Sequence, residues 1–186
     1  MIPVEDIRWW VERYDPMGDR RALESRAATL ALLDTQPWPG GRARFDPGHV
    51  TASGLVLSPD RSAVLLVFHE RLGRWLQPGG HLEATDETIV GAARREVYEE
   101  TGVSVDEEVG PVLVRVDVHE IPPARGEPRH YHHDLMFHFV AADEAHAPVP
   151  VGEKVAWCLL DRLADLGADA PLLQAVARAR RLRRSG

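Results

Sequence analysis

The first part of the chain carries apolar residues at helical spacing. In residues 4–14 the apolar positions that share one helix face are Ile7, Trp10, Val11 and Tyr14. A second stretch has the same period, and its apolar positions are Leu23, Ala27, Leu30 and Leu33. This second helix should end before the segment QPWPGG, residues 36–41, because proline and glycine interrupt helices. The pattern predicts a helical extension over residues 1–44 that packs on a following domain or on a second subunit, as in a homodimer.

From residue 45 onward the pattern changes to runs of apolar and β-branched residues. HVTASGLVLS and SAVLLVFHE predict two buried strands of a hairpin that turns at Pro59 and Asp60. Three later runs also have strand character: PVLVRVDVHEI, HYHHDLMFHFVAA and KVAWCLL. A central helix ending at Gly102 separates the early strands from the late ones, and two further helices are expected around residues 161–166 and from Pro171.

Strands on both sides of a central helix imply a mixed sheet covered by helices, an α/β or α+β fold. The chain has 186 residues, of which 44% are hydrophobic, and this suffices for one domain, residues 45–186 with a C-terminal helix, plus the extension. The net charge of −7 argues against a general nucleic-acid or membrane-surface binder. The basic segment RARRLRR, residues 178–184, is interpreted as a solvated helix end. No signal peptide or membrane-spanning run is recognised, so a cytoplasmic location is expected.

The stretch REVYEETG, residues 95–102, places three carboxylates on one face of the central helix. Glu96, Glu99 and Glu100 are at positions i, i+3 and i+4, which are neighbours on a helix. They lie in the last turns, where the helix dipole makes each exposed carboxylate cost roughly 0.3–1 kcal/mol. A solvated acidic face is the simple interpretation of such a cluster. A divalent cation is the alternative, because Mg²⁺ prefers hard oxygen ligands.

The residues before and within this helix favour the cation. Gly79 and Gly80 allow a tight turn that brings backbone groups close to a ligand. Asp86 is expected to begin the helix as its cap or as an acid of its first turn. The apolar stripe that would face the sheet, leaving the glutamates presented, consists of Val90, Ala93 and Val97.

This region resembles the Nudix box of the Nudix hydrolase family. Residues 80–103 match it with a one-residue insertion after Gly80, which leaves either Asp86 or Glu87 as the first box glutamate. The second half of the box is matched by Arg95, Glu96, Val97, Glu99, Glu100, Gly102 and Val103. The wider resemblance covers residues 45–165 and implies an α/β/α sandwich with a mixed sheet.

The resemblance also implies an activity, the Mg²⁺- or Mn²⁺-dependent hydrolysis of a nucleoside diphosphate linked to another moiety. Glu96, Glu99, Glu100 and the carbonyl of Gly80 would bind the metal, and Arg95 would orient the acids. The general base would be one of these glutamates, with Glu144 and Glu153 as weaker candidates. The partner is then a small phosphorylated molecule, expected to be a nucleotide.

Several further residues are candidates for substrate binding: Trp75, His81, Glu83, Arg125, Arg129 and His132. Arginines bind phosphate bidentately, and a tryptophan stacks on a base or packs in a pocket wall. Strand alternation places His130 and His132 on one side of their strand, where they would contact phosphate or a second metal, or simply be hydrogen-bonded sheet histidines.

Two other functions stay open. Isopentenyl diphosphate isomerases share the Nudix fold but use an active-site cysteine, whereas Cys158 falls in a late strand pattern and is interpreted as a buried apolar residue. Nudix-like binding or regulatory modules lack the glutamates, and this chain has all three.

Overall fold

The computed structural model describes residues 1–70, 72–123, 126–142 and 154–182. Its helices are α1 (Val4–Arg13), α2 (Arg20–Thr35), α3 (Ile89–Thr101) and α4 (Ala170–Leu182). Its strands are β1 (His49–Leu57), β2 (Ala63–His69), β3 (Arg74–Leu76), β4 (Gly79–His81), β5 (Val112–Ile121), β6 (His130–Val140) and β7 (Val155–Leu159). No helix in these ranges is long and apolar enough to cross a bilayer.

The strands form one mixed sheet in the order β3-β2-β1-β6-β5, with β4 paired to β1 and β7 paired to β2. Strand β1 runs parallel to β6 from the pair His49/His132 to the pair Leu57/Val140, and its pairing with β4 is antiparallel. The predicted hairpin of β1 and β2 is present, but its register contains only the pair Leu57/Val64, because β4 takes over the edge of β1 and β7 pairs with β2. The predicted mixed sheet is confirmed.

Helices cover both faces of the sheet. One buried cluster joins α1, α2 and α3 to one face through residues such as Ile7, Val97 and Phe137. The other cluster joins α4 to the opposite face through residues such as Leu172 and Met136. The predicted α/β/α arrangement is therefore observed.

The N-terminal helices pack on the sheet. Ile7 and Val11 of α1 are fully buried, as the apolar pattern predicted. The predicted face of α2 was partly right, because Leu33 is buried and Leu30 packs against the core. It was wrong at Leu23, which is 54% exposed, and at Ala27, since Ser25 and Thr29 face the sheet instead. The Ser25 hydroxyl accepts a hydrogen bond from the Val118 amide, and the Thr29 hydroxyl pairs with His133 Nδ1 at 3.1 Å. These bonds compensate for the burial of polar groups that apolar periodicity does not detect. The domain boundary at residue 45 stays a prediction.

The ends of α3 are set by local hydrogen bonds. Gly102 has a φ of 70° and its amide donates to the Tyr98 carbonyl at 2.7 Å, which confirms the predicted left-handed cap. At the other end the cap is Thr88, whose hydroxyl accepts from the Gly91 amide, so the assignment of Asp86 as cap was wrong. Asp6 of α1 also accepts a hydrogen bond from the Ile89 amide at 2.7 Å and thereby anchors α1 to the start of α3.

The helix predicted around residues 161–166 was also wrong. This segment forms a series of turns, in which the Asp165 amide donates to the Arg162 carbonyl and the Gly167 amide to the Ala164 carbonyl. Gly167 has a φ of 69°, a left-handed conformation that ends the series before α4 begins. Leu163 fills the core beneath these turns and is 1% exposed.

Candidate active site

A cleft of about 600 Å³ opens between α3 and the strands β1, β4 and β6. Strand β4 forms one wall of the cleft, because it lies between β1 and α3. Gly79 and Gly80 are extended residues of β4, although the sequence predicted a tight turn there. A Cβ at Gly79 would lie 2.4 Å from Ser53 Cβ, and a Cβ at Gly80 would lie 2.6 Å from Glu96 Oε2. The two glycines therefore allow β1 and the α3 carboxylates to approach β4 closely.

Arg95 organises the acidic face of α3. Its Nε and Nη2 each donate to a different oxygen of Asp86, both at 2.9 Å. Its Nη1 donates to Glu96 Oε1 at 2.9 Å and to Glu99 Oε2 at 3.0 Å. Nη2 also donates to the His81 carbonyl, which ties α3 to β4. One guanidinium thus orients three carboxylates and the end of a strand.

The pKa values around Arg95 reflect this arrangement. The hydrogen bonds that Arg95 donates to Asp86 and Glu96 raise its pKa, although burial opposes the increase. For Asp86 burial acts to raise the pKa, but the hydrogen bonds from Arg95 and the Glu83 amide outweigh it and lower the pKa below its ordinary value. Asp86 is buried while Glu87 is exposed. The structure therefore makes Asp86, and not Glu87, the residue that positions Arg95.

The glutamates carry more negative charge than Arg95 balances. Burial raises the pKa of Glu96 even though Arg95 binds it, and the charges of Glu99 and Glu100 add to the increase. Desolvation and the charge of Glu99 likewise raise the pKa of Glu100, against the hydrogen bond that Glu100 accepts from the Gly79 amide at 3.0 Å. The pKa increase at both glutamates thus comes first from burial and second from the neighbouring carboxylates.

A hydrogen-bonded network of β1 and β6 forms part of the cleft lining. Asp134 is buried and accepts hydrogen bonds from Ser53 at 2.6 Å and from Thr51 at 3.1 Å. Burial raises the pKa of Asp134, and the two hydroxyls oppose that increase. The sequence analysis assigned no role to Asp134, Ser53 or Thr51, because the strand pattern of these residues carries no signal of their pairing partner.

Histidines gather at one end of the cleft. The predicted residues His81 and His132 both line it, and their ring centroids are 5.1 Å apart. Burial, with the nearby His49, lowers the pKa of His81 to about 4 and that of His132 to about 2, so both rings are neutral near pH 7. Sequence reasoning missed His49, which is buried beside them, and His119, which lines the cleft. His133 points to the other face, as strand alternation predicted, and bonds to Thr29.

The remaining predicted substrate-binding residues are spread more widely. Glu83 lines the cleft. Trp75 packs edge-on against Phe68 at 5.4 Å and contributes to the core cluster of α4. Arg129 is not among the cleft-lining residues, and its guanidinium lies 3.6 Å from the Glu120 carboxylate.

Three predicted residues, Arg125, Glu144 and Glu153, lie outside the described part of the chain. A basic residue that the sequence analysis did not name, Arg42, lines the cleft from the segment before β1. The loop that contains Arg42 has no apolar periodicity, so the sequence pattern could not predict where this side chain lies.

A family model described as NUDIX domain matches residues 47–180, which is most of the chain. The chain belongs to the NUDIX family. The predicted Nudix resemblance, hydrolase class and fold are thereby confirmed at the level of the family.

Individual relatives of this NUDIX chain match less of it. Phosphatase NudJ of Escherichia coli strain K12 is 47% identical over 60 residues, which are 32% of this chain and 38% of that protein. The match thus spans little more than a third of that relative's length.

Two solved structures show the same fold. A NUDIX-family hydrolase from Clostridium perfringens has a TM-score of 0.50 at 23% identity and covers 72% of this chain and 97% of its own. NrtR of Shewanella oneidensis has a TM-score of 0.50 at 22% identity, and the match covers 71% of this chain and 61% of the NrtR chain. At such identities these similarities concern the fold alone.

Proposed function

We propose that this NUDIX protein is a divalent-cation-dependent hydrolase that cleaves the diphosphate linkage of a nucleoside diphosphate derivative. The observation that carries the proposal is the clustering of Glu96, Glu99 and Glu100 beside the cleft, where Arg95 orients two of them. This geometry fits an enzyme better than a binding module. Carboxyl groups with perturbed pKa values, such as Glu96 and Glu100, are typical of catalytic sites, whereas a module that only holds its ligand does not need them.

The donor set fits Mg²⁺ or Mn²⁺. Carboxylates of Glu96, Glu99 and Glu100 are hard oxygen ligands, and the carbonyl of Gly80 lies on the strand that contacts Glu96. When bound, the ion would neutralise the charge of the diphosphate and acidify the attacking water. The closeness of these carboxylates supports a cation at this position, because a dication would offset their mutual repulsion, which adds to the pKa increase that burial causes at Glu96 and Glu100.

The protein's own groups would then position the reactants. Arg95 holds Glu96 and Glu99 in place, and Asp86 holds Arg95. Among the three carboxylates that Arg95 binds, Glu99 is the most exposed, with a side chain 53% exposed, and it is suited to take a proton from water as general base. His81, Glu83, His132 and Arg42 would contact the substrate along the cleft, whose volume of about 600 Å³ is within the range of small-molecule sites. Substrate roles for Arg125, Arg129 and Trp75 stay predictions.

The isomerase alternative depends on a cysteine at the site. Cys158 lies on β7 opposite Val64 and is 7% exposed within the α4 core cluster. Burial raises the pKa of its thiol, which makes it a poor nucleophile. We expect Cys158→Ala to leave turnover unchanged.

The test is the release of phosphate-containing products with Mg²⁺ or Mn²⁺ from a panel of nucleoside triphosphates, nucleotide sugars, ADP-ribose and dinucleoside polyphosphates. Glu99→Gln and Glu100→Gln should each lower turnover by about 100-fold or more, in line with the loss of a general base or metal ligand. Glu87→Gln is the matched control, because it removes an exposed carboxylate beside Asp86. Unchanged turnover in both cluster variants would refute the assignment.

A cytoplasmic location, the absence of general nucleic-acid binding and a homodimer belong to this proposal as well. Sedimentation of the purified protein tests the dimer directly, and a single monomeric species would contradict it.

A further inference from the structure

Three imidazoles from three different strands meet at the histidine end of the cleft. His49, His81 and His132 each offer one nitrogen, and these nitrogens all lie within 4.8 Å of one another. The ring centroids are 5.0 Å apart for His49 and His81 and 4.7 Å apart for His49 and His132. Such spacing brings three metal-binding groups around one point.

The register of the sheet explains why they meet. His49 is the partner of His132 in the parallel pairing of β1 with β6. Thr51, two residues after His49 and thus on the same face of β1, is the partner of His81 in the antiparallel pairing with β4. The three histidines therefore project from neighbouring positions on one face of the sheet.

His49 is held in the form that binds a metal. Its Nδ1 lies 2.9 Å from the Arg44 carbonyl, and since a carbonyl only accepts hydrogen bonds, Nδ1 carries the proton. Nε2 then has a free lone pair. His49 is 0% exposed, and its Nε2 is buried without a hydrogen-bond partner among the described residues. A buried polar atom without a hydrogen-bond partner is unfavourable, and a metal ion bound to this lone pair would satisfy it.

We propose that His49, His81 and His132 bind a transition-metal dication, with Zn²⁺ preferred, at a site distinct from the glutamate cluster. Imidazole nitrogen suits Zn²⁺, whereas Mg²⁺ and Mn²⁺ prefer the carboxylate oxygens of α3. A ligand set of three histidines leaves a fourth coordination position. Because His81 and His132 line the cleft, that position faces the cleft and takes a solvent or substrate oxygen, so the two histidines would contact the substrate through the metal.

The surroundings supply the outer contacts that metal-binding histidines need. The Arg44 carbonyl orients His49. His130 donates through Nδ1 to the Pro128 carbonyl at 2.8 Å, and its Nε2 lies 3.2 Å from His132 Nε2. His130 thus contacts one proposed ligand and supports its orientation.

The experiment uses the full chain, stripped of metal with a chelator and then returned to an excess of Mg²⁺. Titration with Co²⁺ is followed by visible absorbance, and bound metal is counted by elemental analysis. We expect about one equivalent of Co²⁺ with the intense bands of a low-coordinate site, displaced by Zn²⁺ and not by Mg²⁺. His81→Gln and His132→Gln should each weaken Co²⁺ binding by about 100-fold or more, because losing a ligand exceeds the effect of losing an outer contact.

Two control variants test whether Co²⁺ binds at these three histidines and not elsewhere on the protein. His138→Gln removes a buried histidine from the same strand, β6, whose Nε2 also lacks a partner among the described residues, and it should leave Co²⁺ binding unchanged. Glu99→Gln should also leave it unchanged, since the proposal does not depend on the hydrolase activity. Circular dichroism establishes that each variant is folded. The proposal is overturned if the wild-type protein binds no Co²⁺ in excess Mg²⁺, or if the His81 and His132 variants bind it as tightly as the wild type.

Discussion

Arg95 and Asp86 form a bidentate ion pair, with two hydrogen bonds of 2.9 Å between the guanidinium and the two carboxylate oxygens. The Asp86 side chain is 6% exposed and that of Arg95 is 20% exposed, so the pair is largely shielded from water. It links the loop before α3 to the acidic face of that helix. Arg95 thus has an acidic partner, Asp86, even though this chain has one residue more than the Nudix box between Gly80 and Arg95.

Replacing Asp86 by Asn should weaken this pair. Hydrogen bonds to charged groups contribute about 1.5–3 kcal/mol, and we expect Asp86→Asn to lower the free energy of unfolding by about 2 kcal/mol at pH 7. The pKa of Asp86 is lowered in the folded protein, so its contribution is present above the unfolded pKa of about 3.9 and is lost as the pH falls through the folded pKa. Urea unfolding at pH 7 and in acid measures both effects. Glu87→Gln, the exposed control, should change stability by less than about 0.5 kcal/mol.

Gly80→Ala should displace the carboxylate of Glu96, a proposed metal ligand, without unfolding the protein. The added Cβ would lie 2.6 Å from Glu96 Oε2, and the end of that side chain moves more easily than backbone. We expect turnover to fall by at least about tenfold while the melting temperature changes by a few degrees. At Gly110 a Cβ meets nothing within 4 Å, so Gly110→Ala is the matched control. Equal turnover in the two variants would contradict the close approach of β4 to Glu96.

Glu100→Gln should stabilise the metal-free protein. Because the folded pKa of Glu100 is raised, its favourable contribution is present at pH values below the unfolded pKa and is lost as the pH rises through the folded pKa. Removing the charge at pH 7 should raise the free energy of unfolding by about 0.5 kcal/mol. The gain is small because Glu100, although partly desolvated by its neighbours, is still exposed enough for water to screen its charge. Urea unfolding in EDTA should show this gain at pH 7 and no gain near pH 4. A destabilised variant at pH 7 would show that Glu100 is not under electrostatic strain.

Asp6→Ala tests whether the N-terminal helix supports the site. Asp6 accepts a hydrogen bond from the Ile89 amide at the start of α3, and loss of such a capping contact costs about 1 kcal/mol. Glu5→Ala, in the same turn of α1, removes an exposed acid and is expected to be neutral. Thermal unfolding of both variants measures the difference, and equal melting temperatures would mean that α1 does not stabilise α3 through this bond.

Local rules accounted for much of α3. The apolar stripe of Val90, Ala93 and Val97 is buried, and Gly102 caps the helix, because both follow from helical period and backbone conformation alone. The strands β3 and β4 were missed, since each has three residues and β4 reads Gly-Gly-His, which has no strand alternation. The buried face of α2 was predicted only in part, because its polar residues Ser25 and Thr29 are buried by virtue of hydrogen-bond partners in β5 and β6.

The sequence by itself determined that Glu96, Glu99 and Glu100 share one helix face, because residues three and four apart on a helix are neighbours whatever the rest of the chain does. Only the tertiary structure decided that Asp86 holds Arg95 and that His49, His81 and His132 converge. Those relationships depend on how β1, β4 and β6 are aligned, and a shift of one residue in a strand would turn each histidine to the opposite face. Strand register is set by contacts across the whole sheet, which a linear pattern of residues does not contain.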